Sequence, residues 1–229
     1  MSDILSKIKM VDFPEDQFIP RKTHKTQIVL HHTVSGRGIN GDISTWLNST
    51  SRIATHIIVD WKGIPYQCYS SSYWAYHIGV KKETFKNLNI PYNFLDDSSI
   101  GIEIDSYGAL TKKGNDWVTI YGNIIPNERV HVYDKPYRGY NAYEKYTDEQ
   151  IQTVKELLIF WHERYNIPLD YKGDRMWDIS VDALQGESGV WSHTSFKRSK
   201  SDCHPQPELI NMLKSLTDTN FYKGDEPTV

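Results

Sequence analysis

Two histidines and a cysteine in this 229-residue chain carry donor atoms suited to a transition metal. His31 closes the apolar run Thr26-Gln27-Ile28-Val29-Leu30, which reads as a buried strand. The end of a rigid strand is a usual place for a working side chain. His193 closes a second strand-like run, Gly189-Val190-Trp191-Ser192, and Cys203 follows ten residues later. Two imidazoles and a thiolate suit zinc, and three protein ligands leave a fourth position open. Zinc in such a site brings the pKa of bound water to about 7. Spacing alone does not select this reading. The three residues lack the diagnostic pattern of paired CxxC motifs, and on spacing alone two partly buried histidines with a free thiol are the plainer account.

These residues need a scaffold, and the sequence outlines one. Ile53 to Asp60 reads as a second strand, Trp61-Lys62-Gly63 as a tight turn, and Ile64 to Tyr69 as the hairpin partner. Ser99-Ile100-Gly101-Ile102-Glu103-Ile104 reads as a further buried strand carrying one carboxylate. Asp42 is placed to start a short helix through Trp46 and Leu47. Thr147 with Gln150 makes a capping box, and Ile151, Val154, Leu157, Leu158 and Trp161 make one apolar helix face. Asn166-Ile167-Pro168 ends that helix, and a last helix is predicted from Pro207 to Leu216. The fold class is α/β: a single domain with a central mixed β-sheet flanked by α-helices. Residues 1–25 read as a lead-in and 26–217 as the domain. Within it, 106–146 reads as a tyrosine-rich elaboration with one β pair around Val118–Tyr121 and Val130–Tyr133. Residues 218–229 read as a frayed tail.

Composition narrows the function. A formal net charge of −3 gives no basic field for nucleic acid, so no nucleic-acid partner is expected. No run approaches the ~18–20 apolar residues of a membrane span, so no membrane insertion is expected. The N-terminal residues lack the apolar core of a secretory signal, which predicts synthesis in the cytoplasm. Two cysteines exclude a disulfide-dense scaffold, and Cys68 reads as a small buried side chain. Aromatic residues make up 13% of the chain. Most read as core. Trp74, Tyr76, Tyr137 and Tyr140 read as loop residues able to offer flat faces to a glycan or peptide.

The strings IVLHHT, ATHIIVDWKGIPYQ, WAYHIG, SSIGIEI, YTDEQ, WSHTSF and KSDCHP follow one another over roughly residues 26–217. In this order they resemble the zinc-dependent N-acetylmuramoyl-L-alanine amidases of the type-2 family. That family includes phage endolysins, autolysins, cytosolic anhydro-muropeptide amidases and peptidoglycan-recognition proteins. The resemblance implies one zinc ion on His31, His193 and Cys203, the last at a position that members fill with Cys or Asp. It implies Glu103 as general base, and His77 and Trp74, from the loop string, at the substrate cleft. Thr55 stands where some members have a tyrosine that assists catalysis, which assigns it to the cleft without that role. His56 is family-like but carries no assigned role. The family also has an oxyanion-stabilising lysine two residues before the third ligand. Counted from Cys203 that place is Ser201, so Lys200 fills the role only with a one-residue shift. His32 points away from His31 if the strand is regular. His204, where the family often has proline, is a rival ligand.

The implied reaction is hydrolysis of the amide between N-acetylmuramic acid and L-alanine in peptidoglycan, with glycan and stem peptide as partners. The protein is expected to be a monomer. The implied setting is a phage endolysin that reaches the wall after holin-type release. A cytosolic recycling amidase and a non-catalytic recognition module are the alternatives. A third ligand argues against the last, because non-catalytic relatives typically lack it.

Overall fold

The apolar runs do become neighbouring strands, and their register decides where the chemistry sits. The computed structural model describes residues 4–217. The tail at 218–229 lies outside the described residues. In chain order the strands are β1 (Lys9–Met10), β2 (Gln27–His32), β3 (Ile57–Val59), β4 (Pro65–Gln67), β5 (Ser99–Ile104), β6 (Ala109–Lys113), β7 (Asp116–Val118), β8 (Ile124–Ile125), β9 (Val130–Tyr137), β10 (Tyr140–Glu144) and β11 (Gly189–Ser192). The helices are α1 (Ile4–Lys7), α2 (Asn40–Leu47), α3 (Lys82–Asn87), α4 (Asp148–Tyr165), α5 (Val181–Leu184) and α6 (Pro207–Thr217).

The main sheet runs β1-β4-β3-β5-β2-β11. Strands β3, β5, β2 and β11 are parallel, and β4 turns back antiparallel to β3. This is the mixed sheet expected. Both faces of the parallel strands are covered, which explains their near-continuous apolar sequence. Ile28, Leu30, Ile100, Ile102 and Ile104 pack with Val154, Leu157 and Leu158 of α4 and with Leu209 and Leu213 of α6. The opposite face buries Val29 and Trp191 against Phe85, Ala183 and Phe196.

The capping box of α4 is formed. Gln150 N–H donates to Thr147 Oγ1 at 3.1 Å, and Thr147 N–H donates to Gln150 Oε1 at 3.0 Å. The Gln150 amide also donates to Val59 O and Asp105 O, tying the helix start to the ends of β3 and β5. At the turn after β3, Gly63 has φ +75°, and a β-carbon there would stand 2.6 Å from Glu149 O. Asn166 ends the helix in the left-handed conformation with φ 55°.

Two expectations need correction. Residues 4–25 of the expected lead-in are part of the folded domain. β1 pairs with β4, Ile19 bridges to Trp74, and Ile4 is fully buried in the main core. Phe18 stacks on Tyr69 at 4.9 Å, so apolar side chains bind this segment to the domain. The elaboration at 106–146 is a five-stranded sheet in the order β8-β7-β6-β10-β9. Its residues 116–118 and 130–137 do not pair with each other, because β6 and β10 lie between them. Leu110, Ile125, Val130 and Ala142 give this sheet its own small core.

Beneath β5 lies a fully buried cation. Lys25 Nζ donates to Asp97 O at 2.8 Å and to Ser99 O at 3.1 Å. Burial lowers its pKa to about 7, against the charges of Asp97 and Asp96. An unfolded lysine holds its proton up to about pH 10.4, whereas the folded one releases it near pH 7. The unfolded state therefore binds more protons between these values, and stability rises with pH across the window. Denaturant titrations from pH 7 to 10 should show this rise, with a slope of at most about 1.4 kcal/mol per pH unit from this group. Lys25→Met should flatten it, and an unchanged slope in that variant would contradict the assignment.

Candidate metal and catalytic site

Parallel pairing sets His31 of β2 directly opposite Glu103 of β5, so the two side chains share one face of the sheet. β11 lies on the other side of β2 and delivers His193 in the first position after its last residue. These positions are at the carboxyl ends of the parallel strands, the usual ligand edge of an α/β sheet. Here a cleft of about 410 Å³ opens, lined by His31, Glu103, His193, Lys200 and Asp202 among others.

Three donor atoms meet at its floor. His31 Nδ1 lies 2.9 Å from His193 Nδ1. Asp202 Oδ2 lies 2.8 Å from His193 Nδ1 and 3.4 Å from His31 Nδ1. All three residues are buried. Burial and the neighbouring His193 charge pull the His31 pKa down to about 3, so its imidazole is neutral. The histidines hold the Asp202 carboxyl well below the usual range despite burial, so it is a carboxylate.

The outer ring nitrogens explain why the inner ones converge. His193 Nε2 lies 2.9 Å from Ile78 O, an acceptor only, so Nε2 carries a hydrogen and Nδ1 is the nitrogen that would bind a cation. His31 Nε2 lies 3.0 Å from His77 Nδ1, and His77 Nε2 lies 2.8 Å from Ser99 Oγ. With a cation at the centre, the His31 Nε2–H donates to His77 and the His77 Nε2–H donates to Ser99, leaving His31 Nδ1 bare. Fixing ligand tautomers through the far nitrogen is how protein metal sites orient imidazoles. Two imidazole nitrogens and a carboxylate oxygen converging on one point offer a divalent cation three ligands at once. The donor set therefore fits a metal ion such as zinc, which takes His and Asp ligands at about 2.0–2.2 Å.

The third donor is Asp202 where Cys203 was expected. Cys203 is fully buried on the core side, and its Sγ–H donates to Tyr146 Oη at 2.9 Å. Burial pushes its thiol pKa upward, so it stays protonated. Successive side chains of this segment point in different directions, and the one facing the histidines is Asp202. The shift also changes the lysine count. Lys200 lies two residues before Asp202, the spacing the family resemblance called for, and it lines the cleft. That spacing was the sequence signal for Asp202.

The elaboration sheet braces this segment from behind. Tyr146 Oη also accepts from His204 N–H at 3.1 Å and sits 2.8 Å from His32 Nδ1. His204 is excluded as a ligand, because Nδ1 meets Tyr133 Oη and Nε2 meets Glu144 O. Its ring stacks on Tyr143 at 4.6 Å. His32 lies on the opposite face from His31, as strand alternation requires.

Of the other expected residues, Thr55 and His77 line the cleft. Both crowd Gly101, where a β-carbon would stand 2.9 Å from Thr55 Cγ2 and 3.0 Å from His77 Nδ1. His56 is a brace, accepting from Gly101 N–H and donating to Tyr73 O. Trp74 does not reach the cleft. It is buried, edge-on to Tyr76 and Phe94, because the bridge to Ile19 turns it inward. The aromatics that do reach the cleft are half-exposed Tyr76 and Trp46, a residue the sequence assigned to packing. Tyr137 and Tyr140 are strand residues, and Tyr137 Oη bonds to Thr194 Oγ1 at 3.0 Å. Glu103 lies on the cleft wall, and burial with the nearby Asp202 and Asp42 charges raises its pKa well above the usual range, against the pull of Lys200.

With this geometry in place, comparison with known proteins is direct. The family model described as N-acetylmuramoyl-L-alanine amidase (Amidase_2) matches residues 21–207, and the chain belongs to this family. The solution structure of the PlyG catalytic domain is similar at 16% identity and TM-score 0.51, over 96% of this chain and 99% of that one. A mutant endolysin from Bacillus subtilis is similar at 14% identity and TM-score 0.51, over 92% of this chain and 97% of that one. These likenesses support the fold. No curated protein matches the chain.

The donor assignment separates two neighbouring residues. Asp202→Ala should lose stoichiometric zinc in equilibrium dialysis, whereas Cys203→Ala should keep it, with stability lowered by a few kcal/mol at most. Zinc retained by the Asp202 variant and lost by the Cys203 variant would reverse the assignment.

Proposed function

We propose that this protein hydrolyses the amide between the lactyl group of N-acetylmuramic acid and L-alanine in peptidoglycan. The observation that carries the reading is the meeting of His31, His193 and Asp202 beside buried Glu103, in a cleft of an amidase-family fold. His31, His193 and Asp202 would hold zinc, which when bound supplies Lewis-acid polarisation and lowers the pKa of water.

The chain's own groups do the rest. Glu103 accepts a proton from the attacking water and delivers it to the departing alanine nitrogen. A carboxyl whose pKa is held high by burial suits both transfers, because it takes a proton more readily than an ordinary glutamate and still releases it to an amine. Lys200, on the same cleft, supplies positive charge for the oxyanion that develops as water adds to the carbonyl. His77 keeps His31 in one orientation through the contact to Ser99. Thr55 and Tyr76 shape the wall that receives substrate.

The setting we propose is a wall-lytic enzyme of the endolysin type, acting on the wall after release. The likeness to an endolysin structure agrees with this.

Digestion of purified peptidoglycan should release new L-alanine amino termini, identified by mass analysis. A chelator should stop the release and added zinc should restore it. New reducing sugar ends without new amines would replace the reading with a glycosidase. Glu103→Gln should keep fold and zinc content yet lose roughly 10²–10⁴-fold in turnover. Turnover near wild type would remove Glu103 from the reaction.

A further inference from the structure

Beyond the reacting centre, one wall of the cleft gathers positive charge in a chain whose net charge is −3. Residues 197–200 form a turn closed by Lys200 N–H to Lys197 O at 3.1 Å. This turn carries Lys197, Arg198 and Lys200, and Lys197 and Lys200 both line the cleft. The Lys197 ammonium lies over Gly79, 3.8 Å from where a β-carbon would stand. Burial and the like charges of Lys200 and Lys81 pull the Lys197 pKa down. Among the described residues, Lys81, Lys197, Arg198 and Lys200 make no ion pair with a carboxylate. The carboxylates that line the same cleft, Asp202 and Glu103, lie at the proposed reacting centre.

Lys197 is also shared with a second cavity of about 290 Å³. That cavity is lined by Lys197, Arg198, Thr84, Asn87, Leu88 and Ile179. Two cations, a hydroxyl and an amide offer hydrogen-bond donors, and Leu88 and Ile179 offer apolar walls. Such a set suits a carboxylate on a short aliphatic side chain. It sits one lysine away from the place where the amide is cut. Like charges held together without counter-ions cost free energy unless a ligand supplies the opposite charge.

We infer that Lys197 and Arg198 form an anionic subsite that receives a free carboxylate of the peptide side of the substrate, in the cavity with Thr84 and Asn87. The subsite rests on the amide-hydrolysis reading above. Lys200 belongs to the reacting centre, and Lys197 and Arg198 belong to recognition.

The test uses the zinc-loaded full chain and two substrates. One is N-acetylmuramoyl-L-alanyl-D-glutamate with both carboxylates free, and the other has both amidated. The acid should be preferred about tenfold in kcat/KM, the discrimination expected of one desolvated charge contact. Lys197→Ala with Arg198→Ala should raise KM for the acid about tenfold, leave kcat within about twofold, and leave the amidated substrate unaffected. Added salt should erode the preference in the native chain. Calorimetry with the dipeptide L-alanyl-D-glutamate gives a readout independent of turnover. If neither substrate is cut, the hydrolysis reading fails, and dipeptide binding that is lost in the double variant still supports the subsite. Equal kcat/KM for the two substrates, an unchanged KM in the variant, or dipeptide binding unaffected by it overturns the subsite and leaves hydrolysis standing.

Discussion

Everything at this site depends on three buried donor atoms brought to one point by separate segments of the chain. Two ring nitrogens and a carboxylate oxygen meet within 3.4 Å, and the surrounding groups hold each one in that orientation. The parallel register of β5, β2 and β11 supplies Glu103, His31 and His193 from adjacent strands. Ile78 O and the His77–Ser99 pair engage the far nitrogens. The Asp202 segment is pinned by Tyr146 and by Gln206, whose side chain exchanges two hydrogen bonds with the Tyr146 backbone. The fold thus prepares a donor set that could hold a cation.

This gives the elaboration a structural purpose. Strands β9 and β10 bring Tyr133 and Tyr143 behind His204, and Tyr146 follows β10 directly. Without that backing the segment carrying Asp202 would face solvent on its far side. The same arrangement keeps Cys203 dry and protonated, so a residue with the chemistry of a ligand acts instead as a hydrogen-bond donor.

Much of the scaffold was legible because burial on both sheet faces writes itself into sequence. The runs at 27–30, 99–104 and 189–192 were apolar for that reason, and the α4 capping box was explicit in Thr147 and Gln150. His31, His193 and Glu103 were visible as polar residues placed on or at the ends of such runs. The third donor was not, since choosing between adjacent Asp202 and Cys203 requires the direction of each side chain in an irregular segment. Sulfur's affinity for zinc favoured the wrong neighbour, while the spacing to Lys200 favoured the right one. The five-stranded elaboration was illegible for a related reason. Its strands β6, β7 and β8 have five residues or fewer and few buried positions, so they lack strong alternation, and the pairing order is set by long-range contacts. Trp74 was misplaced because nothing local records the bridge from Ile19 that turns it inward.

The central claim is that the metal centre consists of two imidazoles and a carboxylate, with no sulfur. X-ray absorption at the zinc edge of the zinc-loaded protein tests it most directly. The account predicts a coordination shell of nitrogen and oxygen only, at about 2.0–2.2 Å. A sulfur scatterer at about 2.3 Å would contradict it and return Cys203 to the metal.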